Sequence, residues 1–383
     1  MEKLPKLLFL IPHLGGGGAE QVTSLLLQNL CPQKYDLHLG LVTPRVANHE
    51  ALPPHISIHG LGASRVRASA FQLLVLVWKL RPDLIFSGMA HLNFLVLMLR
   101  PFFPHKTRVL VRQNSTVLAA LAFGDLPRHT GLLYRLLYRR ADRVVCQTQK
   151  MAQDLATHLR IPSRQTSRLI AVLPNPINVT AIQAVLRCSG EHEKPLGSGE
   201  GPQLLAVGRL AREKGFDLLL RAFLLVRTEF PTAQLVIVGS GPEELALKRL
   251  ARDLHLDAAT HFVGRVPEPA VYFANATGFV LSSHHEGMPN ALLEAAAGGL
   301  PLIITPSSSG IVELLSGHAG VWLAEATTPQ ALAASILSAL RALLPGQRFS
   351  HLFVNGHRLE HSIAAYESLI DSVLAASPRE QKS

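Results

Sequence analysis

A chain of 383 residues is too long for one ordinary hydrophobic core and suits two domains of roughly 100 to 200 residues each. With 48% hydrophobic and 17% charged residues it has a globular composition, which excludes a disordered or fibrous class. The net charge of +10 raises nucleic acid as a partner. However, aromatic residues are scarce in the basic zone and no nucleic-acid module pattern occurs, so an anionic membrane surface or a phosphate-bearing substrate fits better.

The opening stretch "MEKLPKLLFLIPHLGGGG" carries lysines and an apolar run, but Leu7 to Ile11 is too short for a signal-peptide core and no cleavage site follows. It reads as a first strand. Gly15 to Gly18 come next and permit close backbone approach to a ligand. A dinucleotide fingerprint fails there, because the third-glycine position holds Glu20 and no ribose-binding acid follows in "LHLGLVT". Gly16 and Gly17 are therefore candidates for a loop closing over phosphate or acceptor, with a flexible turn as the alternative.

Short apolar runs bounded by turn residues alternate with helical patterns, which predicts parallel sheets wrapped in helices. Strands are expected at Leu7–Pro12, Leu37–Thr43, Ile56–Leu61, Leu84–Ser87, Arg108–Val111, Val144–Cys146 and Leu169–Leu173. The most apolar stretches, Phe71 to Leu80 and Leu92 to Phe103, are interrupted by Lys79 and Arg100. Neither reaches the roughly 20 residues that span a bilayer, and no transmembrane helix is expected. Between Lys106 and Arg168 twelve Lys and Arg (106, 108, 112, 128, 135, 139, 140, 143, 150, 160, 164, 168) stand against three Asp (125, 142, 154). Within that zone "PRHTGLLYRLLYRRADR", residues 127–143, sets Leu132, Leu133, Leu136 and Leu137 at helical spacing beside Arg135, Arg139, Arg140 and Arg143. Membrane docking and an ordinary helix with a solvated basic face are equal readings. Cys31, Cys146 and Cys188 fit no metal or redox spacing and read as buried packing in a reducing cytoplasm.

The polar, glycine-rich stretch Arg187 to Gln203 marks a linker, and the domain boundary is set near Asn178. Domains are thus expected at 1–178 and 179–355, with a terminal helical segment at 356–383. Strands then resume at Leu204–Val207, Leu235–Val238, His261–Val263, Phe279–Leu281, Leu302–Ile304 and Val321–Leu323.

Two motifs in this second half carry chemistry. In "SSHHEGMPNALLEAAAGG" a loop holding Glu286, Gly287 and Met288 leads to Pro289, expected at the first helical position, where a missing N–H costs nothing. The free amides around Asn290, Ala291 and Leu292 would aim partial positive charge at an anion. Glu294 lies one turn further on the face of Asn290. Carboxylates accept hydrogen bonds only, so each glutamate suits a vicinal diol: Glu286 the hydroxyls of a sugar, Glu294 a ribose, with the amides on phosphate between them. The alternative, a solvated loop acid and a helix-surface acid, stays open on spacing alone. In "LLAVGRLAREKGFDLLLRAF", Arg209 and Lys214 follow a strand just before a helix opening at Gly215, where two cations could neutralise a diphosphate leaving group. No Asp-x-Asp, zinc cluster, nucleophile elbow or Walker loop appears.

With these residues in view the chain resembles the GT-B glycosyltransferases of family 4, the group 1 glycosyl transferases. The stretches "VGRLAREKGFDLLLRAF", "LVIVGSGPEELALKRLARDL", "HFVGRV" and "SSHHEGMPNALLEAAAGGLPLI" match the carboxy-terminal domain in order, and "GGGGAEQV" matches the amino-terminal glycine loop. The resemblance implies an α/β fold of two Rossmann-like domains facing across a cleft. Arg209 and Lys214 would hold the donor diphosphate, Glu286 the transferred sugar, Glu294 the ribose, and Val266 would lie beside the base. It implies retention of anomeric configuration with no metal and no other cofactor, the nucleotide sugar being a co-substrate. Arg112 and Asn114 in "VLVRQNS" would contact acceptor or diphosphate, a structural ion pair being the alternative for Arg112. One departure is "TPSSSGIVEL", with Ser309 and Gly310 where relatives carry paired glycines ahead of the later Glu, here Glu313. The last helix is expected to return to the first domain.

The expectation is a metal-independent retaining enzyme, transferring a hexosyl or N-acetylhexosaminyl group from a UDP-sugar to a lipid-linked saccharide in envelope polysaccharide or lipopolysaccharide assembly. It would work in the cytoplasm, peripheral on the inner membrane, without nucleic acid. A nucleotide-sugar epimerase of the same fold and a catalytically silent nucleotide-binding protein are the rivals.

Overall fold

The computed structural model describes residues 3–15, 17–43, 52–122, 130–188 and 201–376. In chain order its elements are β1 (Lys6–Ile11), α1 (Gly18–Asn29), β2 (Asp36–Leu41), β3 (Ser57–Gly60), α2 (Ala70–Leu80), β4 (Leu84–Ser87), α3 (Ala90–Leu99), β5 (Arg108–Arg112), α4 (Val117–Ala122) and α5 (Thr130–Leu137). Then follow β6 (Arg143–Cys146), α6 (Gln149–Leu159), α7 (Ser163–Leu169), β7 (Ile170–Val172), α8 (Val179–Cys188), β8 (Gln203–Val207), α9 (Phe216–Glu229), β9 (Gln234–Val238) and α10 (Glu244–Asp253). The chain ends with β10 (Thr260–Gly264), β11 (Gly278–Leu281), α11 (Asn290–Ala297), β12 (Leu302–Ile304), α12 (Ser309–Leu315), β13 (Val321–Leu323), α13 (Pro329–Ala342) and α14 (Leu359–Ala375). The predicted strands lie on the observed ones, most of them short Val/Ile/Leu runs between turn residues with the length of a strand buried on both faces, while β3 at the sheet edge is largely exposed.

Among the described residues the strands form two all-parallel sheets, ordered β3-β2-β1-β4-β5-β6-β7 and β10-β9-β8-β11-β12-β13. They belong to two compact units, residues 1–176 with 360–383, and residues 177–359. Ile177 already belongs to the second unit, since its N–H donates to the His357 carbonyl at 2.8 Å and it bridges Arg358. Most of the linker read at 187–203 lies outside the described residues.

In each unit successive strand residues feed opposite faces. Leu8 and Leu10 enter the core under α2, α3, α5 and α6, while Leu204 and Ala206 point into one layer of the second unit and Leu205 into the other. The terminal helix α14 is fastened within the first unit by polar contacts as well as packing. Glu367 accepts from the Cys31 amide at 3.0 Å and the Lys34 ammonium at 3.1 Å, and the Tyr35 hydroxyl donates to Asp371 at 2.5 Å. Burial, then Asp371, pushes the Tyr35 phenol up from its ordinary value. Tyr366 is fully buried, with its ring 6.3 Å from that of Phe86.

The reading of all three cysteines as buried packing is corrected. Only Cys146 is a buried cysteine; Cys31 is half-exposed and Cys188 exposed. Burial lifts the Cys146 thiol to about 12. In the basic helix the core face is made by Tyr134, Leu137 and Tyr138, and Leu132, Leu133 and Leu136 point outward. The hydroxyls of the two tyrosines on this inner face are satisfied by Gln113 and Asn93. Residues 127–129 of that segment lie outside the described residues.

Candidate active site

In the second unit the strand order reverses between β8 and β11: the chain proceeds from β8 to β9 on one side and from β11 to β12 on the other. Loops leaving the carboxyl ends of two such strands diverge, and in open parallel sheets this switch point is where ligands bind. The two motifs singled out in the sequence occupy these two loops. Arg209 and Lys214 lie in the turn after β8, and Glu286 lies in the loop after β11.

The structure brings them into contact. Lys214 Nζ stands 2.6 Å from Glu286 Oε1, with side chains 25% and 9% exposed. The Ser283 hydroxyl donates to the same oxygen at 2.7 Å. Around this pair the loops are laced together by backbone groups. The Ser282 hydroxyl donates to the Lys214 carbonyl at 2.9 Å, the His284 N–H donates to the Glu213 carbonyl at 2.9 Å, and the Thr305 hydroxyl donates to the Ser283 carbonyl at 2.7 Å. Gly215 makes the approach possible. Its φ is +60°, and a Cβ there would lie 2.2 Å from the Ser282 carbonyl oxygen, so both conformation and space demand glycine.

Arg209 is more open, and its guanidinium donates to Glu213 Oε1 at 2.6 Å. Such an exposed pair is worth about 0–1 kcal/mol and yields easily to a stronger anion. The backbone beneath it is held by two further glycines. A Cβ on Gly239 would fall 1.9 Å from the Gly208 carbonyl oxygen and one on Gly241 would fall 2.3 Å from that of Leu210. The ends of β8 and β9 are thus locked together at the cation-bearing turn.

The α11 helix rises from the same loop. Pro289 is its N-cap, with φ −75° and ψ 120°, and Asn290 is the first helical residue; the sequence expectation had the proline one position later. An extended residue before a helix suits proline as well as the first turn does, since either leaves its missing N–H without cost. Gly287, Met288, Pro289 and Asn290 are buried, while Ala291 and Glu294 are half-buried. Val266 lies two residues beyond β10, half-buried against the core of this unit. Glu313, in α12, is exposed.

The first unit holds its candidates differently. Gly16 lies outside the described residues. Gly17 caps α1, and a Cβ on it would stand 2.4 Å from Glu20 Oε2. The buried Glu20 carboxylate, 3.8 Å from His13 Nδ1, thus already supplies an anion to the positive end of α1. Arg112 is 2% exposed at the end of β5. Its guanidinium donates to Asn175 at 2.6 Å and to Asn114, whose own amide donates to the Gly88 carbonyl. Arg112 is therefore packed in the interior, bonded to the side-chain amides of Asn175 and Asn114, and Asn114 is half-buried beside it.

Sequence reasoning left three contributors without a role: Glu213, which binds both Arg209 and the 284–285 backbone, and the serines 282 and 283. The run "EKG" before a helix and the small pair "SS" after a buried strand were the available signals. The assembled group offers a lysine, an arginine, a buried carboxylate and a helix start at one switch point, a chemistry suited to an anion flanked by hydroxyls.

Comparison with known proteins agrees with this fold. Residues 190–343 match the glycosyl transferases group 1 and residues 16–181 match glycosyltransferase family 4. The chain belongs to the group 1 glycosyl transferases, and its two parallel-sheet domains are those of the GT-B fold. An uncharacterized glycosyltransferase of Methanocaldococcus jannaschii is 24% identical over 66% of this chain. The chain spans 62% of that relative's length and 36% of an uncharacterized glycosyltransferase of Haemophilus influenzae. It is 28% identical, over 81% of its own length and 83% of the other's, to the N-acetylgalactosamine-N,N'-diacetylbacillosaminyl-diphospho-undecaprenol 4-alpha-N-acetylgalactosaminyltransferase of Campylobacter jejuni. The structure of Anabaena HepE in complex with UDP and glucose superposes with a TM-score of 0.74 at 16% identity, over 96% of this chain and 100% of that one.

Proposed function

We propose that this protein is a retaining glycosyltransferase that moves a hexosyl or N-acetylhexosaminyl group from a UDP-sugar to a lipid-linked saccharide in envelope polysaccharide or lipopolysaccharide synthesis. The observation that carries the reading is the Lys214–Glu286 contact at the β8/β11 switch point, with Arg209 on the same turn. The Campylobacter relative, named for a diphospho-undecaprenol acceptor, supports the lipid-linked substrate, and HepE, which holds UDP and glucose, supports the donor.

In the proposed reaction the donor diphosphate draws Lys214 away from Glu286 and Arg209 away from Glu213, so that both cations meet the charge that develops as the glycosidic bond breaks. Glu286 is thereby released to accept from hydroxyls of the transferred sugar, and Glu294 takes the ribose. The departing diphosphate accepts the acceptor's proton on the face where the new bond forms, which retains configuration and requires no separate base. With two cations and the α11 amides on the phosphates, the reaction proceeds without a metal. The enzyme works at the cytoplasmic face of a membrane; among the described residues no helix is long and apolar enough to cross one.

The test is transfer from UDP-, GDP- and ADP-sugars to polyprenyl-diphosphate saccharides in the presence of a chelator, with the product anomer assigned by NMR. Retained configuration from a UDP donor is expected. Inversion, donor epimerisation without acceptor, or nucleotide binding with no turnover over a broad acceptor panel would each overturn the reading.

A further inference from the structure

We infer that the first unit docks on an anionic lipid surface through the outer face of α2. This deepens the membrane-associated reading of the proposed function and gives it a surface other than the basic α5 segment. The helix "AFQLLVLVWKL" is apolar nearly all round. Leu73 and Val77 fill the core, yet the opposite stripe carries Phe71, Val75 and Trp78, spaced one turn apart and 74%, 50% and 52% exposed. A helix apolar on every side is expected to be covered on every side. The row continues beyond α2, because the Trp78 indole donates to the Phe102 carbonyl at 2.9 Å and the Phe102 ring is itself 62% exposed. Phe71, Val75 and Trp78 thus make an exposed apolar stripe on α2, with the exposed Phe102 tied to its Trp78 end through its carbonyl, and exposed apolar patches of this kind mark interaction sites.

Charge selects the occupant. Between residues 61 and 109 there are seven Lys and Arg and a single acid, Asp83, which is half-buried and accepts the Lys6 amide. Arg65, Arg67, Lys79 and Arg81 are exposed at the two ends of α2. The asymmetry extends to the whole unit: residues 1–176 and 360–383 hold 23 Lys and Arg against 12 Asp and Glu, whereas residues 177–359 hold 14 against 15. An apolar row containing tryptophan and phenylalanine, with cations at both ends and Asp83 the one acid between residues 61 and 109, is complementary to headgroups above acyl chains. A polar protein partner would leave the aromatic rings unmatched.

The experiment uses the full chain with Trp322→Phe, which leaves Trp78 as the one tryptophan of the two in the sequence. Vesicles of phosphatidylglycerol and phosphatidylethanolamine should shift Trp78 emission to the blue and, with brominated acyl chains, quench it. Phosphatidylcholine vesicles should do neither, and salt should weaken the effect. Phe71→Ser with Phe102→Ser should lower vesicle affinity at least about tenfold while leaving UDP affinity and Tm unchanged. Unaltered Trp78 emission in protein that floats with the vesicles, or a lipid-independent shift that tracks dimer formation, would overturn the proposal. Because UDP affinity is read separately, loss of the docking surface and failure of the glycosyltransferase reading give different results.

Discussion

At position 215 a side chain meets two objections at once, a left-handed φ of +60° and a carbonyl oxygen 2.2 Å from where a Cβ would sit. Gly215→Ala should therefore cost about 1–3 kcal/mol and push the Lys214 turn off the Ser282 loop, reducing kcat/KM at least about tenfold. Denaturant melts and steady-state rates on the same preparation check both effects. On the proposed reaction, Lys214→Ala acts through chemistry. It strips the cation from Glu286, which is only 9% exposed, at a cost below the about 3–5 kcal/mol of a fully buried pair because the lysine is partly solvated. The expected fall in kcat is about 10²–10³. If Tm drops and kcat does not, the lysine holds the fold and not the phosphate. Neither residue's partner was legible in the sequence, since Ser282 and Glu286 lie about 70 positions away and local pattern carries no register between strands.

At the scale of elements, the segment after α13 shows how backbone and side chains fix a connection without regular structure. The Phe349 amide donates to the Gly299 carbonyl at 2.8 Å, and the Phe349 ring fills the place a Cβ on Gly320 would need. His351 binds the Leu300 carbonyl through Nε2 at 2.7 Å, so that nitrogen carries the proton and donates, while Nδ1 is buried without a partner. Burial lowers the His351 pKa below its ordinary 6.5, the contact with Leu300 opposing it. A histidine depressed in the folded state contributes stability that is full above 6.5 and lost as pH falls toward the lowered value, because the unfolded chain takes up the proton first. The urea midpoint of the wild type should drop between pH 7.5 and 5.5, by less than the about 1.4 kcal/mol per pH unit that one proton permits, and His351→Gln should flatten that slope. An equal slope in the variant would assign the dependence to other groups, such as His59, which burial also depresses. The strands were readable at this scale because their length and β-branched content are local properties. The one-residue shift at Pro289 and the tyrosine core of α5 were not, since they depend on what packs opposite.

For the whole molecule, two units with separate cores predict separable responses. The proposed donor contacts Arg209, Lys214, Glu286 and Glu294 lie within 177–359, so on that reading UDP at 100 times its Kd should stabilise that unit by about 2.7 kcal/mol. Calorimetry should show one transition moving and the other, belonging to 1–176 with 360–383, staying. Hydrogen exchange should slow at 208–215 and 282–294. Protection confined to the first unit would contradict the assignment of the donor site. Truncation within α14 is expected to disturb the first unit despite its place at the chain's end, because Glu367, Asp371 and Tyr366 are anchored there.

Alternation of short apolar runs with helical periods determined the two parallel-sheet domains from sequence alone, and glycine, proline and charge spacing was enough to single out Arg209, Lys214, Glu286 and Glu294. Strand order was beyond it. Tertiary structure alone decided that β8 and β11 are neighbours, that Lys214 therefore meets Glu286 across the switch point, and that Arg112 is interior while Phe71 and Trp78 are outside. Hydrophobic periodicity specifies which faces must be covered, but only the assembled sheet specifies by what.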